Sequence, residues 1–595
     1  DAVTVDTEAG PRLRANWTWA PSALDHAAVS RLSRLWFEVL VGLCAHVRGG
    51  GGGLTPSDIA PARLSQRQID ELEQHYCIAD VLPLTPLQQG LLFHASTAQG
   101  TDDVYAMQLD ITVTGVLDSR RLRDAVHTLV TRHPNLVARF CTQFDEPVQI
   151  IPTDPAAAWR YVDLDGDVDV ENHVQRLCAA ERAAVCDLAD PPAFRAALVR
   201  TATEEYRLVL TFHHIVVDGW SLPILLHEIF AGYYGQRLPA VVSYRRFITW
   251  LADRDRDAAD SAWREALADF DTPTLLGPAG RVGLGACRAV ASHRVPAETT
   301  RAVGALARSC RTTISTVLQG AWAQVLCWLT GQHDVAFGTV VSGRPDEVVG
   351  AESMVGMLIN TVPVRARITA TTTTIDLLDQ LRSAHNRTLA HQHIALSEIH
   401  RIAGHDQLFD TAFVFENYPL DTAALSSANG LAITEFNTRE HNHYPLTVQA
   451  MPGTELGLRI EYDTDVFDAA SIEVLIGRLE RVLVAMAADP ALRLSSVDAL
   501  DEPERARLDE WGNRAVLAVP AATSVSVPVL FAAQVARAPE AVAVTCEGRS
   551  MTYRDLDEAA NRLAHLLVST GVGPGLRVAL LFSRSAEAIV AMLAV

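Results

Sequence analysis

Two adjacent histidines, His213 and His214, close an apolar stretch rich in β-branched and aromatic residues that begins at Tyr206 and breaks off at Asp218-Gly219. Imidazole titrates near ~6.5, which suits it to accept a proton at neutral pH, but it is costly to bury without a partner. Successive strand residues face opposite sides, so only one of the two rings can look into a given cleft. A pair of hydrogen-bonded core histidines would account for the dipeptide alone. It does not account for the whole unit His-His-x-x-x-Asp-Gly-x-Ser, which adds the carboxylate of Asp218, the hydroxyl of Ser221 and a glycine that lets backbone approach a ligand.

The surrounding chain alternates strand and helix signals. Pro83 and Pro86 punctuate a helix entry in Leu82-Pro-Leu-Thr-Pro-Leu-Gln-Gln-Gly-Leu-Leu-Phe-His94. Asp334 to Pro345 reads as a strand and turn, Val355 to Arg365 as a strand carrying Asn360, and Phe409 to Asn417 as another. A long-range repeat also stands out. Leu24-Asp25 and Phe467-Asp468 each follow a strand and open a helix with one apolar stripe, 468 − 25 = 443 positions apart. A repeat of that length implies tandem homologous domains, not a solenoid.

Taken with Arg132-His-Pro-Asn-Leu-Val-Ala-Arg-Phe140, these motifs resemble, in order and spacing, the condensation domains of nonribosomal peptide synthetases over residues 78 to about 500. The resemblance implies an α/β fold of two chloramphenicol-acetyltransferase-like lobes in a V-shaped pseudo-dimer. It divides the chain into 78–255 and 256–500 for the two lobes. Residues 1–48 look like the tail of an upstream epimerisation or condensation-type domain, and 49–77 like a Gly-rich linker with a short helix. Residues 501–525 form a second linker, and 526–595 resemble the start of an adenylation domain, ending before any Gly-rich phosphate loop. With Asp1 at its start, the chain reads as a piece of a longer polypeptide.

The implied activity is peptide-bond formation between an upstream aminoacyl or peptidyl thioester and the amine of a downstream aminoacyl thioester. The opening motif resembles the subgroup that takes D-configured donors. The implied catalytic motif is His213, His214, Asp218 and Gly219. In it His214 acts as base or as anchor for the amine, and His213 is tied into the fold. The family usually has a second arginine where Val137 stands, which leaves Arg132 as the expected ion-pair partner of Asp218. Trp220, Ser221 and Asn360 are the substrate-tunnel candidates. No metal constellation is expected, since His391 and His393 lack acidic partners at ligand spacing. The chain holds no cofactor of its own in this reading; 4'-phosphopantetheine arrives on upstream and downstream carrier domains, beside epimerisation and adenylation partners. An epimerisation domain shares His-His-x-x-x-Asp-Gly, but there Val-Ser-Trp-Arg tends to follow, against Trp220-Ser-Leu-Pro223 here. A non-catalytic carrier-recruiting platform usually loses the second histidine, which this chain keeps.

Composition fits that reading. The 595 residues are 49% apolar and 20% charged, and the net charge is 50 − 71 = −21. An acidic balance with no basic run argues against a nucleic-acid or anionic-membrane partner. No apolar run is long enough to span a bilayer and no signal pattern opens the chain. Nine scattered cysteines without Cys-x-x-Cys spacing read as free thiols of a cytoplasmic protein.

Overall fold

The structure, a computed structural model, describes residues 2–7, 10–49, 52–97, 105–188, 192–277, 288–417, 430–519 and 525–595. Asp1, the centre of the glycine run at 50 and 51, and 520–524 of the expected second linker lie outside them. The chain divides into two units, Asp1–Ala499 and Leu500–Val595.

In the first unit the motif strand, Glu205–His213, is central in a five-stranded sheet. Its neighbours are Ala106–Thr114 and Phe194–Ala202, both antiparallel to it. Leu208, Leu210 and Phe212 alternate into the main core of the lobe, while Val209 faces the cluster under helix Val170–Val185. Both faces are therefore covered, which is why the strand is almost continuously apolar. Helix Ser119–Arg132 begins on the Asp118 side chain, which accepts from the Arg120 and Arg121 amides, and buries Leu122, Val126 and Leu129 along one stripe.

The second lobe has a six-stranded sheet in which Thr411–Phe415 and Asp334–Val341 pair in parallel. Helices Ile314–Thr330 and Ala469–Ala488 bury Trp322, Leu475, Leu479 and Val482 against it. The expected strand from Val355 begins only at Asn360. Residues 348–358 instead leave the sheet and pack into the first lobe, where Met354, Val355 and Met357 join its core. Strand Ala432–Arg439 also crosses over, pairing with Ala106–Thr114 at the edge of the first-lobe sheet. Neither lobe is thus a continuous stretch of chain.

The segment expected as a linker is docked. Its helix is Gln66–His75, with a Ser65 capping box. Ile59, Ile69 and Leu72 are fully buried with Val81, Val148 and Ile150, roughly 1.5–3 kcal/mol of burial for each large side chain. The Arg245 guanidinium binds the Asp58 and Ala60 carbonyls and the Asp80 carboxylate.

The repeat pairs two helices, His26–Arg48 and Ala469–Ala488, capped by Asp25 and Asp468. A hairpin precedes each, Ala2–Thr7 with Gly10–Ala15 in one case and Leu446–Met451 with Leu456–Asp463 in the other. In the second unit, hairpin Val542–Cys546 with Arg549–Thr552 precedes helix Tyr553–Ser569. Among the described residues no helix is long and apolar enough to cross a membrane.

Candidate active site

Strand Glu205–His213 runs directly into a single helical turn, His214–Val216, and helix Ser221–Tyr233 follows. His213 is fully buried and its Nδ1 accepts the Ile215 amide at 3.0 Å, so that ring shapes the turn. The backbone amide of His214 donates to the Tyr105 carbonyl at 2.9 Å. The His214 ring lines a cavity of about 890 Å³ between the two lobes, with Gly219, Trp220, Tyr105 and His94 beside it and Asn360 and Thr361 among the residues from the other side. Among the described residues His214 Nδ1 has no hydrogen-bond partner, and Nε2 lies 3.8 Å from Glu440 Oε1.

Asp218 does something different. It is buried and accepts from the Ser221 amide at 2.9 Å, the Ser221 hydroxyl at 2.7 Å and the Leu358 amide at 3.1 Å. Its cation is Arg344, whose Nη1 and Nη2 reach the two carboxylate oxygens at 2.8 and 3.0 Å. Both side chains are almost wholly out of water. The expected Arg132–Asp218 pair is therefore incorrect. Arg132 ends helix Ser119–Arg132 and meets Glu228 from helix Ser221–Tyr233 at 2.8 and 3.0 Å, with His133 on the same carboxylate at 3.1 Å. Burial works against the Glu228 carboxylate, but hydrogen bonds from His133 and Arg132 outweigh it and push the pKa down to about 2. The cation of Asp218 thus comes from the turn after strand Asp334–Val341 in the second lobe.

Two glycines make that crossing possible. Gly343, at φ +60°, carries the turn ahead of Arg344, and a Cβ there would sit 1.7 Å from the Leu358 carbonyl oxygen. Gly356, at φ +156°, passes so close to Tyr244 that a Cβ would lie 2.6 Å from the ring. Around it the Asn135 amide donates to Val355 O at 3.0 Å and the Tyr244 hydroxyl to Met357 O at 2.7 Å.

Ser221, expected in the tunnel, is buried: its hydroxyl bonds Asp218 and the Gly356 carbonyl and accepts the Gly356 amide. His213 and Asp218 likewise lie beneath the cavity wall. As a tunnel residue Ser221 is therefore a correction; together with His213 and Asp218, both expected to be tied into the fold, it holds the turn that presents His214. Asn360 does line the cavity, with its amide nitrogen donating to the Gln392 and Ile394 carbonyls at 2.7 and 2.8 Å. Arg344 and the segment Glu440 to Tyr444 were not singled out from the sequence. The signal for Arg344 lies in Ser342-Gly-Arg-Pro345, a turn directly after a strand, and for the other in the density of polar residues in Glu440-His-Asn-His-Tyr444. Among the described residues no group of three His, Cys, Asp or Glu side chains could hold a metal ion.

Comparison with known proteins gives a consistent picture. Residues 78–508 match the condensation domain family and residues 531–595 the AMP-binding enzyme family. A linear gramicidin synthase protein from Brevibacillus parabrevis is 33% identical over 606 residues, covering 99% of this chain and 8% of that protein. Isonitrile lipopeptide synthase of Mycobacterium tuberculosis (strain ATCC 25618 / H37Rv) is 36% identical over 544 residues, covering 86% of this chain and 22% of that protein. The chain thus spans a small part of its relatives' length. Among solved structures, the first condensation domain of the calcium-dependent antibiotic synthetase, in complex with a substrate analogue, superposes with a TM-score of 0.59 at 22% identity, over 71% of this chain and all of that one. A four-domain nonribosomal peptide synthetase bound to AMP and glycine gives 0.62 at 19% identity, over 87% of this chain and 41% of that one.

Proposed function

The chain belongs to the condensation-domain family of nonribosomal peptide synthetases, and from that premise we propose that it joins a D-configured aminoacyl or peptidyl thioester to the amine of an L-aminoacyl thioester, each delivered on a partner carrier domain. The observation that carries the reaction is the placement of His214. Its ring is the imidazole of the motif that reaches the cavity, while His213, Asp218 and Ser221 are committed to internal bonds.

The amine nucleophile must be neutral, and a free α-amino group titrates near ~8. His214 takes a proton from the incoming ammonium, and the neutral nitrogen then attacks the thioester carbonyl; the carbon–nitrogen bond forms, the carbon–sulfur bond breaks and the sulfur leaves as a thiol with a second proton from the nitrogen. A positioned base contributes about 10²–10⁴-fold, and holding the two thioesters together in one cavity contributes further. Phosphopantetheine arms enter as part of the substrates, and the space between the lobes is where their ends would meet.

The stereochemical part rests on domain order. We read residues 1–48 as the tail of an epimerisation domain, because the hairpin, aspartate cap and helix repeat the end of the second lobe. An epimerisation domain works last in its module, so what it hands on is D-configured. The lobes are assigned as 78–255 and 256–500, with the two crossing segments described above, and 526–595 as the adenylation start. The test is to load an upstream carrier with matched D- and L-donors and compare initial condensation rates. The D-donor should react faster by a factor set by how far chirality alters polar contacts. Equal rates, or preference for L, would overturn the stereochemical assignment.

A further inference from the structure

One carboxylate on the cavity wall has no part in the scheme above. Glu440 directly follows the crossing strand Ala432–Arg439, and both it and His214 line the cavity. The 3.8 Å between Glu440 Oε1 and His214 Nε2 is too long for a hydrogen bond, and both side chains keep some exposure, 30% and 13%. Among the described residues, His214 is the one basic group within ion-pair distance of Glu440. The arginine of the cavity wall, Arg365, is held by Asp334 at 2.7 and 2.9 Å.

The rest of the segment is fixed at each residue. His441 bonds the buried Glu461 at 2.9 Å, and Asn442 Oδ1 accepts from the Tyr444 amide and the Thr447 hydroxyl. His443 bonds the Tyr105 hydroxyl and stacks on His94 with centroids 4.6 Å apart, while Arg288 holds the Tyr444 carbonyl. Burial pushes the His443 pKa down to about 3, so this ring brings no positive charge to the site. The result is a carboxylate held beside the imidazole with a gap between them.

We infer that Glu440 and His214 form a two-point receptor for the α-ammonium group of the acceptor. A charge-assisted hydrogen bond runs about 2.8 Å, and a nitrogen at that distance from each of two atoms 3.8 Å apart fits without strain. The ammonium arrives by donating to the carboxylate and to Nε2. His214 takes one proton, the freed lone pair attacks the thioester carbon, and the carbon–sulfur bond breaks. The departing sulfur leaves as a thiol with the second nitrogen proton, and the imidazolium later releases its own to solvent. Glu440 thus contributes before the chemical step, by holding the cationic form where its base stands.

This rests on the peptide-forming reading, and the experiment separates the two. The full chain is given a loaded donor carrier and an acceptor carrier bearing either alanine or trifluoroalanine, whose amine is far less basic and is neutral at pH 7. Glu440→Gln should lower the rate with subsaturating alanyl acceptor by about tenfold more than with the trifluoro acceptor, the size expected for a charge-assisted hydrogen bond. Glu440→Asp should recover part of that difference. Equal losses with both acceptors, or no loss with either, would overturn the receptor while leaving the peptide-forming reading intact. An unaltered chain that makes no peptide from either acceptor would overturn both.

Discussion

Asp218 and His214 are four positions apart in one motif, yet their surroundings are opposite. Asp218 accepts from two amides, a hydroxyl and a bidentate guanidinium, all out of water. Among the described residues His214 keeps one ring nitrogen without a partner, and its ring lines a cavity. Saturation of the first is what leaves the second free to react: a turn pinned by both lobes can hold an unsatisfied imidazole at a fixed place, which no loop on its own would do. On the proposed reading stability falls to one residue and chemistry to the other, and each assignment can be broken separately.

The largest stability effect should come from Asp218→Ala. It strands a buried guanidinium and leaves the Leu358 amide without its acceptor, for roughly 3–5 kcal/mol in urea unfolding. Arg344→Ala should cost less, because three donors remain on the carboxylate. An Asp218→Ala chain of undiminished stability that still forms no peptide would move Asp218 to the chemical side of the comparison.

Ser221→Ala tests the same knot more gently. Loss of its hydroxyl removes contacts to Asp218 and to both backbone groups of Gly356, worth about 1–3 kcal/mol. If the hydroxyl instead served substrate, the rate would fall at unaltered melting temperature.

The smallest effect is a pH dependence away from both residues. Glu228 is held at about 2 in the fold against an ordinary value of 4.5, so its contribution is present in full above 4.5 and is lost as the pH falls through about 2. The melting-temperature gap between the unaltered chain and Glu228→Gln should therefore be constant above about pH 5 and close on acidification. A gap that widened toward low pH would mean that the carboxylate is destabilising.

What is legible in the sequence is what is local. The strand to His213, the turn at Asp218-Gly219, the aspartate caps at Asp25 and Asp468 and the helix after Pro86 each carry their own signal within a few residues. The partner of Asp218 is not local: Arg344 lies 126 residues away and arrives through a glycine turn, whereas Arg132 in the same lobe is the nearer but wrong choice. The crossing segments are hidden for the same reason, because periodicity tells which face is apolar, not which sheet receives it. The two repeated helices make the point in reverse. Val482 on one is fully buried, while Val39, its counterpart 443 positions earlier, is 60% exposed.

We propose that His214 does the proton transfer on a scaffold it does not hold together. It is tested most directly by single-turnover peptide formation between two loaded carriers on His214→Ala, with the melting temperature measured on the same sample. The rate should fall by about 10²-fold or more, as for loss of a general base, at an unaltered melting temperature. A His214→Ala chain that forms peptide at the original rate would contradict it.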